Sequence, residues 1–174
     1  MSDYKVYWDN ICKIYFLTKH YLLLCEEYSD EFDTFLQPVK EHRDAFDHIA
    51  RVYGYEMLDR KVVDIDEYRN GNMRKAVGHT YRAFFDTADW LSYICRKQIR
   101  EILSNYKKDE IIAKCPEYEE IKKLLTEIPE QISHIRENKD LSDKESELIQ
   151  EVDKYRKLLD RIIDARKKIF LVFG

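Results

Sequence analysis

Glycine and proline are scarce in this chain: four glycines and three prolines occur among its 174 residues. A β-sandwich, a β-barrel or a long disordered tail needs many more of these residues for its turns. Hydrophobic residues make up 44% of the chain, and they recur at three- and four-residue steps over long stretches. The sequence therefore predicts an all-α protein, an antiparallel bundle of about five helices with a C-terminal helical hairpin.

The hydrophobic periodicity also predicts where the first three helices lie. The first covers residues 3–28, and the second covers residues 39–58 with Pro38 in its first turn. A turn is predicted at residues 70–72, Asn-Gly-Asn, before a third helix over residues 73–105. The side chains expected to face the core from the second helix are Phe46, Ile49, Tyr53 and Met57.

The C-terminal third of the chain has the pattern of two paired helices. Apolar residues recur at heptad-like spacing in two stretches, residues 121–135 and 148–169. Pro129 is expected to kink or interrupt the first of these helices, and Ser142 with Glu145 forms a capping box before the second. We expect residues 1–108 to form the core of the bundle and residues 109–174 to form a hairpin that packs on it or extends from it.

Charge and cysteine content limit the compartment and the partners. The 30 basic and 34 acidic residues give a net charge of −4, which argues against electrostatic binding of nucleic acid over the whole protein surface. The chain has no apolar stretch of membrane-spanning length and no secretory pattern at its N-terminus. Its four cysteines are far apart in the sequence, as is typical of buried thiols in a reducing cytoplasm. No metal-ligand spacing occurs, so we expect neither a metal nor a cofactor.

One short motif carries a functional signal. Arg74, His79 and Tyr81 form an Arg-x4-His-x-Tyr pattern. This pattern resembles the signature of the HEPN superfamily, a group of helical-bundle proteins that includes metal-independent RNases and the toxins of HEPN–nucleotidyltransferase toxin–antitoxin pairs. A second and shorter match, Arg43 to His48, has the Arg-x4-His core without the tyrosine.

The resemblance implies a metal-independent endoribonuclease of a toxin–antitoxin or defence system, with RNA as substrate and an antitoxin or defence component as protein partner. A histidine can take the proton from a 2′-hydroxyl or give one to the leaving 5′-oxygen. One such histidine per chain would imply that a homodimer, or a higher oligomer, supplies both. Arg74 would stabilise charge on the phosphoryl oxygens. Tyr81 would orient the substrate or the imidazole.

A structural interpretation of the same residues remains open. On an unbroken helix Arg74 and His79 lie about 140° apart, so they do not share a face. His79, Arg82 and Asp86 do share one, on which Arg82 and Asp86 would form an ion pair four residues apart. A similar polar face on the second helix includes Glu41 and His48, so facing of the two would bring His48 and His79 into one pocket.

A second class of function is also consistent with the sequence. The chain has 13 tyrosines, and several of them crowd the first helix. Tyrosine is favoured at interfaces, where its ring can be buried while its hydroxyl stays in contact with water. The alternative function is therefore a non-enzymatic helical module that oligomerises or docks a protein partner through aromatic and charged helix faces.

Overall fold

The structure, a computed structural model, describes residues 4–29, 35–57, 62–137 and 145–174. Within these ranges it holds six α-helices, one 3₁₀ turn and no β-strand, which confirms the predicted all-α class. No helix in this part of the chain is long and apolar enough to cross a membrane. The helices are α1 (Tyr4–Tyr28), α2 (Leu36–Tyr53), α3 (Ile65–Ser104), α4 (Lys108–Lys114), α5 (Tyr118–Glu137) and α6 (Glu145–Phe173), and the 3₁₀ turn is Tyr55–Met57.

The chain divides into two compact units. The first consists of Met1–Leu23 and Asp33–Thr87, and the second of Leu24–Phe32 and Ala88–Gly174. Both α1 and α3 contribute residues to each unit, so this division differs from the one expected at residue 108, which stays a prediction. The largest fully buried side chains are Ile14, Tyr21, Met73, Phe84 and Phe85 in the first unit and Leu91, Ile99, Ile128, Tyr155, Leu159, Ile162 and Ile169 in the second.

Helix α3 is longer than predicted, because it begins at Ile65 and runs through the expected turn at residues 70–72. Asp64 precedes the helix, and its Oδ1 accepts a hydrogen bond from the Glu67 backbone N–H at 2.9 Å, which caps the helix. Asn72 lies buried inside α3, where its side-chain amide donates to the Tyr68 carbonyl at 2.8 Å. The turn prediction was wrong because these contacts keep an Asn-Gly-Asn segment helical.

Helix α2 turns its apolar face outwards, which contradicts the predicted inward stripe. Phe46 and Tyr53 are 69% and 68% exposed, and Met57, in the 3₁₀ turn, is 90% exposed, whereas Ile49 is half-buried. The residues that α2 buries are instead Pro38, Ala45 and Val52, which lie at seven-residue steps. Small apolar side chains on this face let the half-buried polar groups beside them, Glu41 and His48, approach α3 and contact its side chains. The expected place of Pro38 in the first turn is confirmed.

In the second unit, α5 and α6 form the predicted hairpin. Leu124 shares a cleft with Ala165, and His134 shares one with Leu158, so the two helices run antiparallel. Helix α5 continues through Pro129, so the expected interruption does not occur, and the neighbouring Ile128 is buried. The short helix α4 lies between α3 and α5 and has no counterpart among the predicted helices. The predicted Ser142–Glu145 capping box lies outside the described residues.

Candidate functional site

The polar faces of α2 and α3 meet within the first unit. Glu41 and His48 are seven residues apart on α2, and Asn72 and His79 are seven residues apart on α3. Seven residues fall about 20° short of two full helical turns, so each pair lies along one face of its helix. Glu41 contacts His79 and His48 contacts Asn72, which requires the two helices to run antiparallel.

Glu41 is the centre of the charged part of this cluster. Its Oε2 lies 2.8 Å from His79 Nδ1 and accepts a hydrogen bond from Arg82 Nε at 2.9 Å. The Glu41 side chain is only 13% exposed. Burial alone would raise the pKa of this carboxyl, but hydrogen bonds from His79 and Arg82, with their charges, outweigh burial and hold its pKa below the ordinary value of 4.5. Glu41 is therefore an ionised carboxylate at neutral pH.

The depressed pKa of Glu41 predicts an acid-sensitive contribution to stability. Because the folded chain binds this proton less readily than the unfolded chain, the stabilisation is present above about pH 4.5 and is lost as the pH falls through the lower folded-state pKa. Glu41→Gln removes the titrating group, so the free energy of unfolding of this variant is expected to fall less between about pH 5 and pH 3. Urea unfolding of both proteins across this range measures the difference. The exposed Glu101→Gln serves as the control. If the free energy of unfolding depends on pH equally in Glu41→Gln and in the wild-type chain, the prediction is wrong.

His79 has two partners on the same ring nitrogen. Besides Glu41 Oε2, its Nδ1 lies 2.6 Å from Arg82 Nη2. A protonated Nδ1 can donate only to the carboxylate, and an unprotonated Nδ1 can accept only from the guanidinium. Each protonation state of Nδ1 therefore has a hydrogen-bond partner, and neither partner occupies Nε2.

The orientation of His48 is fixed by Asn72. The Asn72 amide nitrogen donates to the Tyr68 carbonyl, so the Asn72 Oδ1 atom is the one that faces His48 Nδ1 at 2.9 Å. An amide oxygen only accepts, so His48 Nδ1 must carry a hydrogen. In the neutral ring Nε2 then has an unprotonated lone pair, which is the state that a general base needs.

The two imidazoles are neighbours. The ring centroids of His48 and His79 are 5.3 Å apart, and the ring planes differ by 23°, so the rings are stacked. Each ring is held at Nδ1 by a different kind of group, an amide for His48 and a carboxylate with a guanidinium for His79. The arrangement can place one neutral and one protonated imidazole side by side, which is what concerted acid and base catalysis requires.

The other two residues of the predicted motif, Arg74 and Tyr81, do not share the face of α3 that carries His79. Arg74 is exposed, and because α3 is unbroken it lies about 140° around the helix axis from His79. Tyr81 is buried, and its ring packs on Phe85 with 4.7 Å between centroids. Helix α3 is continuous between Arg74 and His79, so these two side chains of one chain do not share a face.

The four secondary candidates, Arg43, His48, Arg82 and Asp86, have distinct surroundings. Arg43 is exposed and its guanidinium bonds the neighbouring Asp44 at 2.7 Å. Asp86 is half-buried, one turn beyond Arg82 on the same side of α3. Arg82 itself contacts both Glu41 and His79, so the structure brings Arg82 and His48 into the cluster around His79 and leaves Arg43 outside it.

Asn72 is the residue of this cluster that the sequence interpretation missed. It was assigned to a turn, although it stands seven residues before His79, just as Glu41 stands seven residues before His48. That repeated spacing of a polar residue and a histidine is the signal that could have identified both orienting groups.

Comparisons with known proteins leave the function to be argued from this geometry. The chain matches no protein-family model, no curated protein and no solved structure. Among the described residues, no group of three or more histidine, cysteine, aspartate or glutamate side chains is arranged to hold a metal ion.

Proposed function

We propose that this chain is a metal-independent endoribonuclease in which His48 is the general base and His79 the general acid. The observation that carries the proposal is the stacked pair of imidazoles, each held at Nδ1 by its own partner. The HEPN resemblance of residues 74–81 supports the same reaction class from the sequence. The proposal differs from that resemblance in one respect, because one chain supplies both histidines.

The reaction is a transesterification within the RNA strand. His48 Nε2 takes the proton of a 2′-hydroxyl as its oxygen attacks the adjacent phosphorus, and the bond from phosphorus to the 5′-oxygen breaks. His79 Nε2–H gives its proton to that leaving oxygen. The products are a 2′,3′-cyclic phosphate and a 5′-hydroxyl, and a proton exchange with water returns both histidines to their starting states.

Arg82 and Glu41 have supporting roles in this reaction. Glu41 Oε2 accepts a hydrogen bond from His79 Nδ1 when that nitrogen carries a hydrogen, which holds the imidazole in one orientation. The Arg82 side chain is 43% exposed, so part of its guanidinium is accessible beside His79. A guanidinium matches the geometry of phosphate oxygens, so Arg82 is the group that would stabilise the charge that builds on them.

The wider setting is part of the same proposal. The HEPN resemblance implies a cytoplasmic toxin or defence protein that acts as a homodimer and binds an antitoxin or another defence component. Arg74 enters the site under this proposal only from a second chain. Tyr81 is buried, and its ring packs on Phe85.

The test is the product of RNA cleavage by the full chain in the presence of EDTA. A DNA oligonucleotide with a single ribonucleotide is expected to be cut after that ribonucleotide, leaving a cyclic phosphate, whereas the all-DNA strand stays intact because it has no 2′-hydroxyl. The double variant His48→Ala/His79→Ala, purified identically, is expected to be inactive. Cleavage that persists in the double variant, or no cleavage by the wild-type chain, would overturn the proposal.

A second candidate function is favoured by the apolar side chains on the surface. Phe16 and Leu23 on α1 and Phe46 and Tyr53 on α2 are each more than half exposed. Such side chains on a helix are typical of surfaces that bind another helix. A non-enzymatic interaction module would show no RNA cleavage at all, and its self-association or partner binding would depend on these side chains and not on His48 or His79.

A further inference from the structure

The outer face of α2 has the residue spacing of a coiled-coil seam. Six of its exposed positions follow alternating steps of three and four residues, as the a and d positions of a heptad do. Four of these six residues are apolar with large side chains, one is alanine and one is arginine. The six residues, which we call the α2 seam, are Leu36, Val39, Arg43, Phe46, Ala50 and Tyr53.

The exposed face of α2 is apolar, whereas the exposed face of an ordinary surface helix is polar. The hydrophobic effect favours an apolar stripe on the core side and polar residues outside, because apolar surface in water costs about 25 cal/mol per Å². Helix α2 instead buries Ala45 and Val52 beside the polar Glu41 and His48, and it exposes the seam. The charged cluster with α3 fixes this orientation, since turning α2 around would place Glu41 and His79 apart. The exposed seam is therefore built into the first unit.

We propose that the α2 seam binds the α2 seam of a second copy of this chain, with the two helices antiparallel. In this arrangement Leu36 of one copy meets Tyr53 of the second copy, Val39 meets Ala50, and Arg43 meets Phe46. Each layer pairs a larger residue with a smaller one or a cation with an aromatic ring, so the contact is complementary to itself. The inference uses no part of the His48–His79 proposal.

Charged residues beside the seam favour a second copy of the chain as the partner and an antiparallel direction of pairing. Lys40 and Asp47 flank the seam on the same side, both exposed, and antiparallel pairing brings Lys40 of one copy beside Asp47 of the other, twice per dimer. A parallel pair would instead place Arg43 against Arg43 in the seam and would separate Lys40 of one copy from Asp47 of the other. Like charges in the seam oppose association, so the charges of this face favour the antiparallel dimer.

The first test measures the molar mass of the full chain by sedimentation equilibrium. A dimer is expected for the wild-type chain. Phe46→Glu is expected to weaken it at least about 30-fold, the effect of losing a central interface residue. Tyr93→Glu is a matched control, because Tyr93 is also aromatic and is 58% exposed, against 69% for Phe46, but lies on α3. A monomeric wild-type chain, or equal effects of both substitutions, would overturn the proposal. Circular dichroism checks that each variant keeps its helices.

The second test addresses the pairing direction by charge reversal. Lys40→Glu alone and Asp47→Lys alone each place like charges together in an antiparallel dimer, and each is expected to raise the dissociation constant by about 3- to 10-fold. The double variant Lys40→Glu/Asp47→Lys restores opposite charges between copies and is expected to recover most of the affinity. Double-variant binding weaker than that of both single variants would overturn the antiparallel seam. A dimer that Phe46→Glu leaves unchanged would show that another surface is used.

Discussion

Replacing His79 by alanine is expected to lower the rate of RNA cleavage by about 10²- to 10⁴-fold, the range that a positioned acid or base contributes. The substitution removes the proton donor to the 5′-oxygen and leaves His48 with its Asn72 partner. Because the proposed reaction needs a neutral His48 and a protonated His79, the wild-type rate should rise and then fall with increasing pH. His79→Ala should lose the falling limb, which a purely structural role of His79 would not predict.

Two controls make the His79 result decisive. His20→Ala removes an exposed imidazole on α1 that lies outside the cluster, and it is expected to cleave RNA at the wild-type rate. Imidazole added to the solution is expected to recover part of the activity of His79→Ala by supplying the missing proton donor. Single-turnover rates on one defined RNA give all of these comparisons. Wild-type activity in a folded His79→Ala would remove His79 from the mechanism.

Replacing Phe84 by alanine is expected to lower the free energy of unfolding by about 3–5 kcal/mol, the usual cost of truncating a buried phenylalanine. The Phe84 side chain is fully buried in the first unit, where its ring lies 5.1 Å from Phe85 and 6.4 Å from Tyr21, centroid to centroid. Truncation would leave a cavity lined by these two rings. The cavity would stay open because the helix backbones on either side of it cannot move together to fill it.

Urea unfolding measures the effect of Phe84→Ala, with Phe16→Ala as the matched control. Phe16 is largely exposed, so its truncation is expected to change the free energy of unfolding by no more than about 0.5 kcal/mol. A loss below about 1 kcal/mol for Phe84→Ala would mean that this position is not packed as described.

The sequence predicted the helical class and one helix closely because periodicity reports directly on local structure. Helix α1 was expected over residues 3–28 and is observed at Tyr4–Tyr28. The start of α3 was missed because Asn-Gly-Asn is a good turn signal locally, and what overrides it is non-local. Burial of Asn72 and Met73 and the cap at Asp64 keep this segment helical.

The predicted orientation of α2 was wrong for a different physical reason. Periodicity separates an apolar face from a polar face, but it does not say which of them meets the rest of the chain. The usual rule turns Phe46 and Tyr53 inwards, whereas hydrogen bonds between Glu41, His79 and Arg82 turn them outwards. The facing of the two polar helix faces was foreseen as one alternative. Its geometry depends on which turn of α2 lies beside which turn of α3, and that alignment has no local signal.

The paired contacts of His79 Nδ1 have a consequence for any proton that reaches this ring. Because a carboxylate and a guanidinium both lie at that nitrogen, the imidazole can gain or lose a proton at its far edge without rotating. Rearrangement of a side chain and its solvent is a large part of the barrier to proton transfer in water. Here that reorganisation is completed when the helices dock, so the ring is held ready before any ligand arrives.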